Sequence, residues 1–149
     1  MRGEGGMTMR LVDALYVEAM LLADESRGYF DERGRIEREA LSPIARVAFT
    51  CESLKVTTRL MHIIAWLLTR RAVESGEISQ REGRDPARRL GRIDARRSDV
   101  SILPGTAQAL IGASHDLYER VRRLDEGLDR SFVMPSPARG LMQRLERAF

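Results

Sequence analysis

Apolar residues recur at alternating steps of three and four along three long stretches of the chain, which is the spacing of one helix face. The first such stretch starts at Met9, and Gly34 is expected to end it or to lie in a loop. Its apolar stripe consists of Val12, Leu15, Ala19, Leu22, Ser26 and Tyr29. The pattern therefore predicts a first helix from Met9, preceded by a flexible Gly-rich start over residues 1–8.

The second stretch begins at Ser42-Pro43, where serine can cap a helix and proline fits its first turn. The next helix breaker is Gly76, so the pattern predicts a helix of about 33 residues, or about 50 Å. Its most regular apolar stripe is expected to pack against the other helices at a shallow angle. That stripe consists of Ile44, Val47, Cys51, Leu54, Thr58, Met61, Ala65, Leu68 and Ala72.

The second helix also has an opposite apolar stripe, with a polar ridge between the two. The opposite stripe consists of Phe49, Val56, Leu60, Ile63 and Leu67, and the ridge of Glu52, Lys55, Arg59, His62, Trp66 and Arg70. A helix that is apolar on two sides is usually sandwiched between two surfaces. The pattern therefore favours a homodimer over the alternative of a wide core with scattered apolar surface residues.

Tryptophan and arginine on the polar ridge are the residue types that are favoured at interface hot spots. Together with two residues of the opposite stripe, the ridge is predicted to form a partner or dimer surface. The predicted surface residues are Glu52, Arg59, Trp66, Arg70, Leu60 and Leu67. The alternative is that Trp66 packs beneath the connection over residues 77–104 of its own chain.

The last long helix is predicted over about Thr106–Arg130, and the prolines after Met134 end it. Its apolar stripe consists of Ala107, Leu110, Ser114, Leu117, Val121, Leu124 and Leu128. Three long helices with matching stripes predict an all-α, antiparallel three-helix bundle over residues 9–132. The connection 77–104, with a short extra helix, is expected to lie outside this bundle.

A C-terminal tail over residues 133–149 is expected to be flexible. Its Leu141, Leu145 and Phe149 have the spacing of a short amphipathic helix and are predicted to supply tail contacts.

Composition agrees with a helical, globular chain. Hydrophobic residues make up 43% of the 149 residues, charged residues 32% and aromatic residues only 5%, a balance that argues against a β-sandwich. No stretch approaches the roughly 20 apolar residues of a membrane span, and a single cysteine excludes a disulfide framework. A cytoplasmic protein is therefore expected.

The sequence offers little for chemistry. Cys51 lies on the predicted core stripe, where a thiol is inert packing. Neither His62 nor His115 has the glutamate three residues earlier that di-iron bundles use, and no phosphate-binding glycine motif is present. The sequence thus predicts no catalytic residue, no metal and no cofactor, and a protein that is not an enzyme.

Arginine supplies nearly all the positive charge, since 24 of the 25 basic residues are arginine and one is Lys55. Between residues 81 and 97, seven arginines face three acidic residues, which gives a local net charge of +4. Such a segment could bind nucleic acid or an acidic protein, although it holds no aromatic residue and is more simply a solvated loop. A nucleic-acid-associated regulator and a dimeric scaffold remain the alternative functions.

The run Glu52–Leu68, continued by Arg71–Ile78, resembles the RcdA family, the regulators of CtrA degradation in alphaproteobacteria. Weaker matches are Leu15–Met20, Leu117–Arg120 and Arg144–Phe149, so that the resemblance spans most of the chain.

The resemblance implies a dimeric three-helix bundle that acts as an adaptor for the AAA+ protease ClpXP. In the cell-cycle pathway of that family, the adaptor binds protease that is primed by the response regulator CpdR. It then delivers substrates directly, or recruits the cyclic-di-GMP-binding adaptor PopA, which brings CtrA. Recruitment to the cell pole and the identity of the substrate stay open.

Overall fold

The computed structural model describes residues 2–92, 99–133 and 144–148, and three long helices dominate it. The described elements are α1 (Arg2–Gly28), a π-helical turn (Tyr29–Arg33), α2 (Arg35–Glu39), α3 (Pro43–Glu74), α4 (Gln80–Gly83), 3-10 turns (Pro86–Arg88 and Val100–Ile102) and α5 (Gly105–Val133). Helices α1, α3 and α5 pack against one another, which confirms the predicted all-α bundle.

Local sequence signals set the ends of α3 as expected. The Ser42 hydroxyl accepts a hydrogen bond from the Ala45 amide at 3.3 Å, and Pro43 occupies the first helical position. Beyond its other end, Gly76 adopts a φ of 78°, a left-handed conformation that favours glycine.

Helix α1 begins at Arg2, seven residues before the predicted start at Met9. The glycines in this stretch lower helix propensity, but no proline interrupts residues 2–8, so the backbone hydrogen bonds can continue. The flexibility expected of residues 1–8 stays a prediction.

The three long helices do not all alternate in direction. Arg59 of α3 bonds to Ser114 of α5, and farther along both helices Trp66 bonds to Asp125, so α3 and α5 run parallel. Helix α1 is antiparallel to both, and its Glu18 forms an ion pair with Arg120 of α5. A parallel pair requires the chain to return along the full length of α3 before α5 can start.

The connection between α3 and α5 makes this return along the surface of the three-helix bundle, and most of its described residues are exposed, but it packs onto the helices at several points. Gly83, Leu90 and Leu103 are buried, and the Tyr118 hydroxyl of α5 donates a hydrogen bond to the Gly91 carbonyl at 3.0 Å. The physical reason is that a segment crossing from one end of a parallel pair to the other covers the groove between them. Residues 93–98 lie outside the described part of the chain.

The core uses the stripes predicted for α1 and α5 but the opposite stripe of α3. Phe49, Val56, Leu60, Ile63 and Leu67 are at most 3% exposed, whereas Ile44 is 80% and Met61 65% exposed. The prediction that the stripe Ile44–Ala72 forms the internal contact is therefore wrong. At one end, Phe49 packs edge-on against Phe30 with ring centroids 5.2 Å apart, which turns this side of α3 inward.

Gly91 sits where the connection crosses α3, and a methyl group there has no room. A Cβ atom on Gly91 would lie 2.6 Å from Nδ1 of His62. We expect Gly91→Ala to destabilise the fold by roughly 1–3 kcal/mol because the overlap forces the connection or the imidazole to shift. Chemical denaturation measures this change.

The matched control is Gly112→Ala in α5, where no atom lies within 4 Å of the added methyl group. This control should stabilise the protein by about 0.5–1 kcal/mol, since alanine favours a helix over glycine. Equal stability of the two variants would contradict the packing of the connection onto α3.

Candidate functional site

The middle of helix α3 turns its charged residues, together with one apolar stripe, toward its own bundle and turns an uncharged apolar stripe outward. Between Val47 and Thr69 the sequence has three charged residues, Glu52, Lys55 and Arg59. Glu52 and Arg59 are only 3% and 2% exposed, and the Lys55 ammonium pairs with the Glu52 carboxylate at 3.3 Å. Exposed helix faces normally carry the charged residues, whereas here the exposed side of α3 is apolar and the buried side carries the charges.

The inward side is held by a buried guanidinium. Nη1 of Arg59 donates a hydrogen bond to the Ser114 hydroxyl at 2.7 Å, and this hydroxyl in turn donates to the Ile111 carbonyl at 2.8 Å. Burial lowers the pKa of Arg59, and the nearby Glu52 carboxylate opposes this shift. A buried charge of this kind is tolerated only with such partners, so it fixes the rotation of α3 against α5.

A second inward contact joins α3 to α5 and the connection. The Trp66 indole donates to Asp125 at 2.8 Å, and Arg89 of the connection pairs with the same carboxylate at 3.2 Å. The Arg70 guanidinium lies 5.5 Å from the Trp66 ring centroid and donates to the Gly83 carbonyl. Burial lowers the pKa of Arg70, while Asp125 raises it. The contacts of Arg89 and Arg70 hold the connection against the bundle.

The prediction that a partner or dimer surface is exposed on this side of α3 is therefore wrong. Its residues Glu52, Arg59, Trp66, Leu60 and Leu67 are buried in the core, and Arg70 is half-buried against the connection. The alternative prediction, that Trp66 packs within its own chain, is confirmed.

In the tail, Leu145 is 51% exposed within the helical stretch 144–148. Leu141 and Phe149 lie outside the described residues, so the tail contacts stay a prediction.

The outward side of α3 carries what we call the outer seam. Its members are all exposed and consist of Ile44, Val47, Cys51, Leu54, Thr58, Met61, Ala65 and Leu68. The seam runs for about 36 Å at 1.5 Å per residue, and no charged residue of α3 interrupts it between Val47 and Leu68. A continuous row of exposed apolar residues is unusual on the surface of a monomeric protein.

Three threonine side chains along this face are already hydrogen-bonded. The hydroxyls of Thr57, Thr58 and Thr69 donate to the carbonyls four residues earlier at 2.9–3.0 Å. Because these donors are satisfied within the helix, another surface could cover them without leaving an unpaired polar group. The face can therefore be buried at little polar cost.

The outer seam carries one thiol. Cys51 is exposed on it, which corrects the expectation of a buried thiol in the core. Among the residues that the structure describes, no group of three or more His, Cys, Asp and Glu side chains could hold a metal ion. Within the same described ranges, no helix is long and apolar enough to cross a bilayer.

The sequence holds a signal that could have assigned the two sides of α3 correctly. Its aromatic residues, Phe49 and Trp66, both lie on the side that proved to be buried, and large aromatic residues bury the most surface. The charges of Glu52 and Arg59 masked this signal, since their partners come from distant parts of the chain.

Comparison with known proteins places this all-α chain in a family. A family model described as "Protein of unknown function (DUF1465)" matches residues 3–149, so the chain belongs to that family. The crystal structure of RcdA from Caulobacter crescentus CB15 is similar, with 35% sequence identity and a TM-score of 0.67. The match covers 85% of this chain and 95% of that chain. The chain is thus a member of the RcdA family, as the sequence resemblance predicted; comparison with curated proteins gave no match.

Removal of the buried guanidinium tests the inward cluster. We expect Arg59→Met to lower the free energy of unfolding by about 3 kcal/mol, because the buried Ser114 hydroxyl then loses its donor and the buried Glu52 carboxylate loses a nearby positive charge. Urea denaturation measures the change. The matched control is Arg10→Met on the exposed side of α1, which should change stability by less than about 0.5 kcal/mol. Similar effects of the two variants would contradict the structural role of Arg59.

Proposed function

We propose that this chain is a non-enzymatic adaptor that brings protein substrates to the ClpXP protease. The observation that carries the proposal is the outer seam, an exposed apolar face on the best-anchored helix of a member of the RcdA family. An uncharged, preorganised face of this kind suits protein binding, because little polar desolvation opposes its burial.

The adaptor acts by proximity. A protein that binds protease and substrate at once raises the effective concentration of one at the other, with no reaction of its own. The Arg59 and Trp66 contacts support this role, since they hold α3 rigid and so reduce the entropy cost of binding. The chain would work in the cytoplasm as a homodimer.

The partners follow from the family resemblance of the sequence. We propose that the chain binds ClpXP that is primed by a CpdR-like regulator, and that it recruits a PopA-like adaptor or binds substrates directly. A CtrA-like master regulator is the substrate that this resemblance favours.

Reconstituted proteolysis tests the proposal. With ClpXP, the CpdR-like regulator, the PopA-like adaptor and the CtrA-like substrate from the same host, addition of the chain should shorten the substrate's half-life severalfold. Leu54→Glu in the outer seam should abolish this gain, because it places a charge in the apolar face. Leu21→Glu is the matched control, since Leu21 is a 66% exposed leucine on α1, and it should leave the gain intact. An unchanged half-life with wild-type chain, together with no binding to any of these proteins, would contradict the adaptor proposal.

The tail has its own test in the same assay. A chain truncated after Pro135 lacks Leu141, Leu145 and Phe149, and we expect slower delivery if these residues contact a partner. Full delivery by the truncated chain would show that the tail contacts are not needed.

A salt titration separates the adaptor from a nucleic-acid-associated regulator. Binding of random duplex DNA through the arginines of 81–97 would weaken steeply with salt concentration, because each phosphate contact releases counterions. We expect weak binding without site preference, since Arg89 is already paired with Asp125. Tight, steeply salt-dependent binding would favour the nucleic-acid function instead.

A further inference from the structure

We propose that the connection between α3 and α5 presents a binding surface for an acidic segment of a partner protein. We call it the arginine surface. Its members are all exposed and consist of Arg81, Arg84, Arg88 and Arg92. This surface would exist whether or not the chain serves ClpXP, so it goes beyond the proposed function.

The positive charge of the connection is not balanced by its own acidic residues. From residue 81 to residue 92 the sequence has five arginines and two acidic residues, which gives a local net charge of +3. One of the two acidic side chains, Asp85, accepts a hydrogen bond from the Ala87 amide at 2.9 Å and so caps the turn that follows. Within the described ranges of the chain, neither Arg81 nor Arg88 forms an ion pair. Their guanidinium groups therefore face solvent with their charge available.

The neighbouring helix α5 shows the opposite pattern. Its Arg120 forms an ion pair with Glu18 of α1, and its Arg122 pairs with Glu119 at 2.9 Å and with Glu126 at 2.6 Å. These arginines of α5 are matched by nearby carboxylates, whereas those of the connection are not. The connection therefore attracts anionic groups more strongly than this part of α5 does.

The fold holds the backbone of the connection in place beneath its arginines. The Arg70 guanidinium donates to the Gly83 carbonyl, and the Tyr118 hydroxyl donates to the Gly91 carbonyl at 3.0 Å. Leu90 is buried between these two points and the helices. Because the backbone is ordered before a partner arrives, less entropy is lost on binding than for a flexible loop.

The chemistry of the exposed groups favours carboxylates as ligands. A guanidinium can donate two parallel hydrogen bonds to one carboxylate, and these charge-assisted bonds are stronger than neutral ones. Arginine is also enriched in protein–protein interfaces, where lysine is depleted. All the cations of this surface are arginines. An acidic peptide segment therefore fits it well.

Nucleic acid fits the same surface less well. Residues 77–92 contain no aromatic side chain that could stack on a base. The helical turns, Gln80–Gly83 and Pro86–Arg88, have four and three residues, too short to serve as a recognition helix in the major groove. Glu82 and Asp85 also lie among the arginines, where they would repel a continuous row of phosphates.

The arginine surface is separate from the outer seam. The connection lies against His62 through Gly91 and against Val73 through Gly83, and neither of these α3 residues belongs to the seam. A partner with an acidic segment and a partner with an apolar face could therefore bind the chain at different places.

Fluorescence anisotropy tests the surface with a short labelled peptide that alternates glutamate and serine. The full chain is titrated at about 0.15 M salt, where charges more than about 8 Å apart are largely screened, so that binding reports local contacts. The wild-type chain should bind the peptide. A triple variant should bind it about tenfold more weakly, because the ion pairs are lost. The substitutions are Arg81→Gln, Arg84→Gln and Arg88→Gln.

The matched control removes the same charge elsewhere. It replaces three exposed arginines of α1 and α2 and should bind the peptide as the wild-type chain does. The control substitutions are Arg10→Gln, Arg27→Gln and Arg38→Gln. Circular dichroism verifies that both triple variants are folded. Equal loss of binding in both variants would mean that the peptide responds to net charge alone, and the arginine surface would be wrong.

Two further outcomes would also overturn the proposal. The first is a wild-type chain that does not bind the peptide. The second is tighter binding of random duplex DNA than of the peptide, lost in the Arg81, Arg84 and Arg88 variant, which would assign the surface to nucleic acid.

The Leu54→Glu variant keeps this test separate from the proposed function. It should bind the peptide as the wild-type chain does, because Leu54 lies on the outer seam. Peptide binding without any effect of the chain on degradation would support the arginine surface and contradict the adaptor. Faster degradation without peptide binding would support the adaptor and contradict the arginine surface.

Discussion

The buried bond between Arg59 and Ser114 is the constraint on which the rest of the structure depends. A guanidinium that is 2% exposed cannot lose its partners without a large desolvation cost, so α3 must present this side to α5. The rotation of α3 follows, and with it the inward position of Glu52 and Trp66. The same rotation turns the uncharged stripe outward, because the two stripes lie on opposite sides of one rigid helix.

Much of the fold was predictable because its signals are local. The Ser42-Pro43 start of α3 and its end near Gly76 depend on backbone preferences of a few residues. The stripes of α1 and α5 were predictable for a similar reason, since each of these helices has a single dominant apolar side. The family resemblance was also recognisable without tertiary information, because it lies in one continuous run of residues in α3.

The orientation of α3 could not be predicted in this way, since apolar periodicity alone gives no preference between two apolar sides. The orientation is decided by hydrogen bonds to residues far along the chain. Arg59 bonds to Ser114, 55 residues away, and Trp66 bonds to Asp125, 59 residues away. The same is true of the connection. Its arginines indicated a solvated loop, but Arg89 pairs with α5 and Gly91 fits against His62, contacts that exist only once α3 and α5 run parallel.

The parallel pairing of α3 and α5 has a consequence for how the chain folds during synthesis. Helices α1 and α3 are close in sequence and can form a hairpin early, whereas α3–α5 contacts join residues more than 50 positions apart and close late. Until α5 has emerged from the ribosome, Arg59 has no Ser114 to bond, and the part of the core side of α3 that packs on α5 stays open to water. The nascent chain thus exposes this part of the core side and the outer seam at once, and this interval is when it is most prone to aggregation.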